Sequence, residues 1–134
     1  MLAAAAHAQE SGVLGTWATH GGATISVYQC DANVCAKLIG LSKDTPTKVD
    51  GNNPDPAQRT HPLCGLQIGR SFHLTDKDHA EDGQLYDPKS GKTYSGSMAS
   101  EGESLKLRGY IGIKLFGRTA VWTRVHGNVP ACAQ

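Results

Sequence analysis

The stretch from Ser104 to Val125 carries the clearest alternation of apolar and polar residues in the chain. Its first half alternates three apolar residues with three polar ones: Leu105, Leu107 and Ile111 with Lys106, Arg108 and Tyr110. In its second half, one face of an extended chain carries Trp122 and Arg124, and the other carries Val121, Thr123 and Val125. A period of two is typical of a half-buried strand. The stretch therefore predicts two strands joined through a glycine-rich connection.

Shorter apolar runs, separated by turn residues, precede this stretch. They predict strands at Leu14–His20, Ala23–Cys30, Cys35–Leu41, Leu63–Leu74, a short strand ending at Asp87, and Thr93–Ala99. Between two of them, Thr75–Gly83 is predicted to form a charged hairpin tip. The chain has 16 glycines in 134 residues, which favours turns between strands over helices. In up-and-down order such strands can close into a sheet without exposed edges. We therefore expect an all-β fold, a small closed antiparallel barrel of about eight strands.

A long polar connection over residues 42–62 interrupts this pattern. Within it, Asp55 can cap one helical turn from Pro56 to Arg59, the one short helix that we expect. A loop of this length in a compact domain is usually functional or mobile.

The four cysteines can be paired from the predicted hairpin between the second and third strands. If Cys30 lies opposite Cys35, Val27 faces Leu38 on one side of the sheet and Tyr28 faces Lys37 on the other. This register puts apolar with apolar and polar with polar, and it brings the two sulfurs within disulfide reach. Cys64 and Cys132 then pair by elimination. A zinc site is disfavoured because no second closely spaced pair follows the first.

A tryptophan in the first strand and an arginine in the last are suited to plug one end of such a barrel. We expect Trp17 to be buried there, with the Arg124 guanidinium over its ring.

Size, charge and composition narrow the class of protein. At 134 residues the chain is one domain, and its net charge of +1 without a basic stripe argues against a nucleic-acid partner. No apolar run reaches the length of a membrane span. Residues 1–8 end in Ala6-His7-Ala8, which resembles a signal-peptidase site, so residues 9–134 are expected to form the barrel of a periplasmic or secreted protein. The alternative is an Ala-rich helix that belongs to the fold.

Several motifs in order resemble the bacterial family called domain of unknown function 2147. Its middle signature is matched by Asn53-Pro54-Asp55, Arg59 and Pro62-Leu63-Cys64-Gly65-Leu66. Its C-terminal signature is matched by Tyr86-Asp87-Pro88, Ser90-Gly91-Lys92, Tyr94, the run 105–110, Gly112, the run 115–119 and Trp122-Thr123-Arg124. The resemblance implies a secreted or periplasmic lipocalin-like barrel without an established activity. Gly15-Thr16-Trp17 and Arg124 also look like the Gly-x-Trp and closing Arg of lipocalins. The Trp that the family often carries just before its Tyr-Asp-Pro strand is missing, which implies a more open or more polar pocket.

The remaining candidates for chemistry are weak, and we expect neither an enzyme nor a bound metal or cofactor. Five histidines are scattered along the chain, and we interpret them as solvated loop residues: His20, His61, His73, His79 and His126. The acidic residues of the hairpin tip lack calcium-loop spacing: Asp76, Asp78, Glu81 and Asp82. No nucleophile elbow is present. Arginines could bind an anion at a barrel mouth: Arg108, Arg118 and Arg124.

The predicted inward faces favour a barrel that binds a small, partly apolar ligand, either a fatty or an aromatic molecule. The expected lining is apolar: Val27, Leu38, Leu66, Ile68, Leu105 and Leu107. Arg108 or Tyr110 could anchor a polar group, although their phase with Lys106 points both to solvent. The alternative is a filled barrel that binds a protein partner, or maintains the cell envelope, through the 42–62 loop. An unrecognised enzyme is the third possibility. A cavity of roughly 300 Å³ favours the first interpretation and a packed interior the second.

Overall fold

Eight antiparallel strands form a closed barrel in the computed structural model, which describes residues 12–110, 118–127, 129 and 132. The strands are β1 (Gly15–Ala18), β2 (Thr24–Cys30), β3 (Asn33–Gly40), β4 (Gln67–Asp76), β5 (His79–Asp87), β6 (Lys92–Glu101), β7 (Ser104–Tyr110) and β8 (Arg118–Val125). Each pairs with the next, and β8 returns to pair with β1. The predicted fold class is confirmed. The predicted signal remnant at residues 1–8 and the strand position Ile111 lie outside the described residues.

The one helical element described is a 3₁₀ turn at Pro56–Gln58, which begins after Asp55 as predicted. The Asp55 carboxylate accepts a hydrogen bond from the Ala57 amide at 3.0 Å. Within the parts of the chain that the structure describes, no helix is long and apolar enough to cross a membrane.

The charged segment Thr75–Gly83 is mostly strand, so the prediction of a long hairpin tip is wrong. β4 continues to Asp76, β5 begins at His79, and only Lys77 and Asp78 turn. The physical reason is that the outer face of a barrel wall meets water, so charged residues can occupy strand positions there. His73 and Glu81 are paired across the two strands on this face.

The hairpin of β2 and β3 is two residues tighter than predicted. Cys30 lies opposite Asn33, and Val27 lies opposite Ala36 instead of Leu38. The turn consists of Asp31 and Ala32, with Asp31 in the left-handed region at φ 55°. A shift of two residues keeps every side chain on its face, because side chains alternate with a period of two. Leu38 consequently still points to the core, although its partner in the sheet is Ile25.

Large apolar side chains fill the barrel interior. Trp17, Ile25, Phe72, Met98 and Leu105 are all less than 2% exposed. The Phe72 ring lies so close to Gly83 that a Cβ at that position would overlap it. Glycine on the inner face of β5 therefore makes room for an aromatic ring from β4.

Strand β4 begins later than the predicted range Leu63–Leu74, and its alternation is interrupted. Cys64 and Leu66 precede the strand, and the register against β3 shifts between Val34 and Lys37. Ser71 takes a left-handed φ of 64°, which is consistent with a bulge. In an unbroken strand over Leu63–Leu74, a period of two would put four residues on one face: Cys64, Leu66, Ile68 and Phe72. The shifted register and the bulge remove that constant period.

Trp17 and Arg124 close the end of the barrel that carries the turns after β2, β4 and β6. The guanidinium carbon lies 4.2 Å from the centre of the Trp17 ring. The guanidinium donates to the carbonyls of Gly12 at 2.7 Å and Leu14 at 3.2 Å, and the indole nitrogen donates to the Val13 carbonyl at 3.0 Å. The predicted plug is thus present, and it also holds the segment that leads into β1.

Two disulfides join the cysteine pairs that the sequence predicts, Cys30 with Cys35 and Cys64 with Cys132. Cys30 and Cys35 sit diagonally across the hairpin, with Cα atoms 5.9 Å apart. The second disulfide ties the chain just before β4 to the C-terminal region, across a sequence separation of 68 residues.

We expect the double variant Cys64→Ser/Cys132→Ser to lose about 4 kcal/mol of unfolding free energy, because the disulfide closes a long loop in the unfolded chain. The matched control is Cys30→Ser/Cys35→Ser, whose loop spans a separation of only 5 residues. In the chain-entropy model it should lose about 2 kcal/mol. Denaturant unfolding of both variants measures the difference, and equal losses would contradict the prediction.

We expect Arg124→Ala to lose about 1–3 kcal/mol of unfolding free energy through the contact with Trp17 and the lost packing of its stem. Arg118→Ala in the same strand is the control, because Arg118 is exposed and should change stability by less than about 0.5 kcal/mol. Chemical denaturation followed by tryptophan fluorescence measures both. A stable Arg124→Ala protein would show that the plug is dispensable.

Candidate functional site

The long connection between β3 and β4 lies at the end of the barrel opposite the Trp17/Arg124 plug. It leaves β3 at Gly40 and enters β4 at Gln67. Leu41, Leu63 and Leu66 along it pack against the core, while most of the polar residues between them are exposed. A bridge between Val49 and Pro62 folds the connection back on itself. The connection is therefore anchored at both ends and forms a structured cover.

The buried carboxylate of Asp50 fastens this cover to the barrel wall. Asp50 is 1% exposed, and its two oxygens accept hydrogen bonds from the Tyr86 hydroxyl at 2.7 Å and the Asn53 side-chain amide at 2.8 Å. Its backbone amide donates to the His61 carbonyl at 2.9 Å. A buried carboxylate is costly unless it is hydrogen-bonded, so these donors determine where the loop can sit. We call Asp50, Asn53 and Tyr86 the clasp.

Tyr86 acts as a hydrogen-bond donor over the whole physiological pH range. Burial, together with the hydrogen bond to Asp50, raises the pKa of Tyr86 to about 12. Ionisation would place a second negative charge against the Asp50 carboxylate, so the neutral phenol is favoured.

A second set of hydrogen bonds joins the cover to the turn between β5 and β6. The side-chain amide of Asn52 donates to the carbonyls of Lys89 at 3.0 Å and Pro88 at 3.3 Å. Gly91, at a left-handed φ of 74°, lies so close to the Asn52 carbonyl that a Cβ there would overlap it. Two independent constraints therefore require glycine at position 91: the left-handed backbone angle, and the close approach of the Asn52 carbonyl.

The two motifs singled out in the sequence meet at this junction. Asn53 accepts a hydrogen bond from the Arg59 side chain at its carbonyl, at 2.7 Å, and one from the Asp55 amide at its side-chain oxygen, at 2.8 Å. These contacts fix the shape of the Asn53-Pro54-Asp55 segment. Asp50 connects it to the Tyr86-Asp87-Pro88 motif, because its carboxylate accepts hydrogen bonds from both Asn53 and Tyr86. Sequence reasoning missed Asp50, because an aspartate beside a glycine in a polar loop looks like an ordinary turn residue.

A groove of about 310 Å³ lies between the cover and the barrel wall. Its lining comes from the loop, from the start of β4 and from the adjoining parts of β5 and β6: Asp50, Asn53, Pro54, Gln58, Leu66, Gln67, Ile68, Gly69, Arg70, Gln84, Tyr86 and Thr93. Gln84 and Tyr86 lie on the face of β5 opposite to Gly83, which packs on the core residue Phe72. The groove is therefore on the outer side of the wall, under the loop, and its lining combines polar side chains with apolar ones.

The structure brings only two of the predicted lining residues, Leu66 and Ile68, to this groove. The other four are buried in the filled interior: Val27, Leu38, Leu105 and Leu107. The six do not surround one cavity. Leu66 and Ile68 line the groove outside the wall, and the other four face an interior occupied by rings such as those of Trp17 and Phe72.

The two predicted polar anchors lie away from the groove. Arg108 donates to the Thr119 hydroxyl at 3.2 Å on the outer face. Tyr110 is 8% exposed, so the expectation that it faces solvent is wrong. Its position opposite Ser95 agrees with the predicted strand phase. Phase decides the side of the sheet, whereas burial also depends on what covers that side.

The charged turn between β4 and β5 carries hydrogen-bonded acid groups at the plugged end. Asp78 accepts from the Ser100 hydroxyl at 2.7 Å, which lowers the pKa of Asp78. His79 lies 2.8 Å from an Asp76 oxygen, and this hydrogen bond raises the pKa of His79. No group of three or more potential metal ligands occurs among the described residues. A second groove of about 280 Å³ lies nearby on the outer face, lined in part by His79, Ser104 and Val121.

We expect a stability loss at alkaline pH that depends on Tyr86. Because its pKa in the folded protein is above the ordinary value of 10.0, its contribution is complete below pH 10 and disappears as the pH rises through about 12. The difference in phenolate absorbance between wild type and Tyr86→Phe should therefore titrate with a midpoint near 12. The control is Tyr28→Phe, because Tyr28 is on β2, outside the clasp, with its ring under the Lys37 amine of β3. A midpoint for Tyr86 near 10 would show that the clasp is open in solution.

Comparisons with known proteins agree with this architecture. A solved structure described as "Protein HP1028 from the human pathogen Helicobacter pylori belongs to the lipocalin family" superposes with a TM-score of 0.76 at 21% identity, covering 85% of this chain and 83% of that one. At this identity the similarity shows the fold. No curated protein matches the sequence. The family model described as an uncharacterized protein conserved in bacteria, DUF2147, matches residues 15–124, from β1 to the arginine of the plug. The chain therefore belongs to the DUF2147 family, with a lipocalin-like barrel.

Proposed function

We propose that this protein is an exported, non-enzymatic binding protein that holds a small, partly apolar ligand in the groove under the 42–62 loop. The observation that carries the proposal is the groove itself. Its volume of about 310 Å³ is at the lower end of the range for small-molecule sites. Leu66 and Ile68 supply apolar contacts, and side-chain amides and hydroxyls supply polar ones.

The clasp supports this proposal because it makes the groove a formed site. Asp50 and Tyr86 line the groove while they hydrogen-bond each other, so the loop does not have to fold when a ligand arrives. A preformed site avoids the entropy cost of ordering a loop on binding. Lipocalins hold one small ligand inside barrels of this size, so the similarity of fold supports a binding role, while the position of the site outside the wall rests on the groove.

Export is supported by the two disulfides, since such bonds persist in oxidising compartments. A role without catalysis is supported by the chemistry of the groove. The Tyr86 hydroxyl lies against the Asp50 carboxylate, but this pair holds the loop in place, and the raised pKa of Tyr86 disfavours the phenolate that a nucleophile would need.

A protein-interaction or envelope-maintenance role is the second candidate, favoured by the filled interior. Trp17 and Phe72 are 0% exposed, and Met98 is 1% exposed. A partner would then contact the exposed residues of the 42–62 loop, which the clasp presents as a rigid surface.

The test is titration of delipidated protein with a panel of fatty acids and a hydrophobic dye, read by dye fluorescence. We expect saturable binding that is weakened at least about tenfold by Thr93→Trp, because a large ring at the exposed Thr93 obstructs the groove. Ser104→Trp is the matched control, since Ser104 is also exposed and lines the second groove.

Leu107→Trp separates the groove from the barrel interior. Leu107 is 3% exposed in the core, so the change should cost about 1–3 kcal/mol of stability through overpacking and leave the affinity unchanged. A loss of binding in Leu107→Trp or Ser104→Trp, but not in Thr93→Trp, would contradict the groove assignment. Absence of saturable binding would favour the interaction role.

A further inference from the structure

Arg70 is the charged group that the groove offers to a ligand. Two charged residues line the groove, Asp50 and Arg70. Asp50 is 1% exposed and both of its oxygens already accept hydrogen bonds within the clasp. Arg70 is exposed and stands at the edge of the same groove. The negative charge is thus enclosed and hydrogen-bonded, and the positive one remains accessible.

The guanidinium of Arg70 is held in place without being neutralised. Its Nε donates to the side-chain oxygen of Gln84 at 3.1 Å, and the two residues are direct partners across β4 and β5. Among the described residues, no carboxylate lies within salt-bridge distance of it, and its two terminal nitrogens make no hydrogen bond. The exposed amine of Lys77, by comparison, forms a salt bridge with the Asp78 carboxylate at 3.1 Å.

This arrangement leaves donors facing the groove. The Gln84 side chain uses its oxygen to accept from Arg70, so its amide nitrogen remains a donor. A guanidinium presents a planar fork that matches the two oxygens of a carboxylate or phosphate. Leu66 and Ile68 lie in the same groove and provide an apolar surface for the rest of the molecule.

We infer that the ligand of this groove is a small amphiphile with an anionic head, a carboxylate or a phosphate, which Arg70 binds through its free terminal nitrogens. Gln84 is the positioning residue that orients Arg70, and the apolar part of the ligand lies against Leu66 and Ile68. The inference rests on the proposed function, since it names the class of ligand for that site. It replaces Arg108 and Tyr110, the anchors that the sequence suggested.

The test compares three probes with the same chain and different heads: octanoate, octyl phosphate and octanol. Isothermal titration calorimetry of wild-type protein should show the anionic probes binding about tenfold more tightly than octanol, as expected for charge-assisted hydrogen bonds. In Arg70→Gln this preference should disappear while octanol affinity is retained. Arg118→Gln, which removes an exposed arginine of β8 that does not line the groove, should keep the preference. The relative affinity of octanoate and octyl phosphate identifies the preferred head.

The outcomes distinguish this inference from the proposed function. Equal affinity of wild type for all three probes would overturn the anionic head and leave the groove as a site for neutral ligands. A preference that survives in Arg70→Gln would place the anion at another residue and also overturn the inference. Failure of all three probes to bind would overturn the inference and the proposed function together. Because Arg70 is exposed, its replacement should leave the unfolding midpoint unchanged, which thermal unfolding checks.

Discussion

The seam between the first and last strands is the constraint on which the whole molecule depends. Without it, an eight-stranded sheet would leave two edges of unpaired backbone groups exposed. At this seam Trp17 and Arg124 are direct partners in the sheet, and their side chains stack on the inner face. The guanidinium of Arg124 also donates hydrogen bonds to three backbone carbonyls, those of Gly12, Leu14 and Gly102. The Arg124 side chain therefore joins the first and last strands, covers one end of the barrel and donates to the carbonyl of the buried Gly12.

Closing the barrel at this size leaves room either for side chains or for one small ligand. Here side chains occupy it, because Trp17, Phe72 and Met98 point inward and Gly83 on the neighbouring strand makes room for the Phe72 ring. With the interior filled, the groove described above lies outside the wall. The long connection after β3 forms this groove by folding over the wall, and the buried Asp50 carboxylate holds the connection there. Hydrogen bonds from Tyr86 and Asn53 offset the free-energy cost of burying this charge. The residues that hold the loop in place therefore also line the groove.

The distribution of polarity around the groove follows from the same arrangement. Residues of the outer face, such as Gln84 and Thr93, are polar because in most barrels of this kind that face meets water. When the loop covers them, they become the lining of a groove instead of a solvated surface. This explains why the candidate site is richer in amides and hydroxyls than the apolar cavity which the inward faces predicted.

The amino-acid sequence by itself determined most of the strands, the barrel and the disulfide partners. Alternation with a period of two is a local property, and it assigns residues such as Leu105 and Trp122 to the inner face whatever the register. For the same reason, the two-residue error in the β2–β3 hairpin left the faces and the Cys30–Cys35 pairing correct. The motifs around Asn53 and Tyr86 were visible as well, but not the contact between them, since the two residues are 33 positions apart along the chain (86 − 53).

Only the tertiary structure decided whether the barrel is hollow, where Asp50 lies and which arginine borders the groove. Inner-face residues of a filled barrel and of a hollow one have the same pattern, because that pattern records the side of the sheet and not the distance to the opposite wall. In the sequence Arg70 looks like any other arginine in a strand, because what sets it apart is its position in the groove that the loop forms. The described structure places an accessible guanidinium at the groove and a hydrogen-bonded carboxylate beneath the loop, and neither follows from residues adjacent in sequence. Long-range packing brings these groups together, and local pattern carries no information about it.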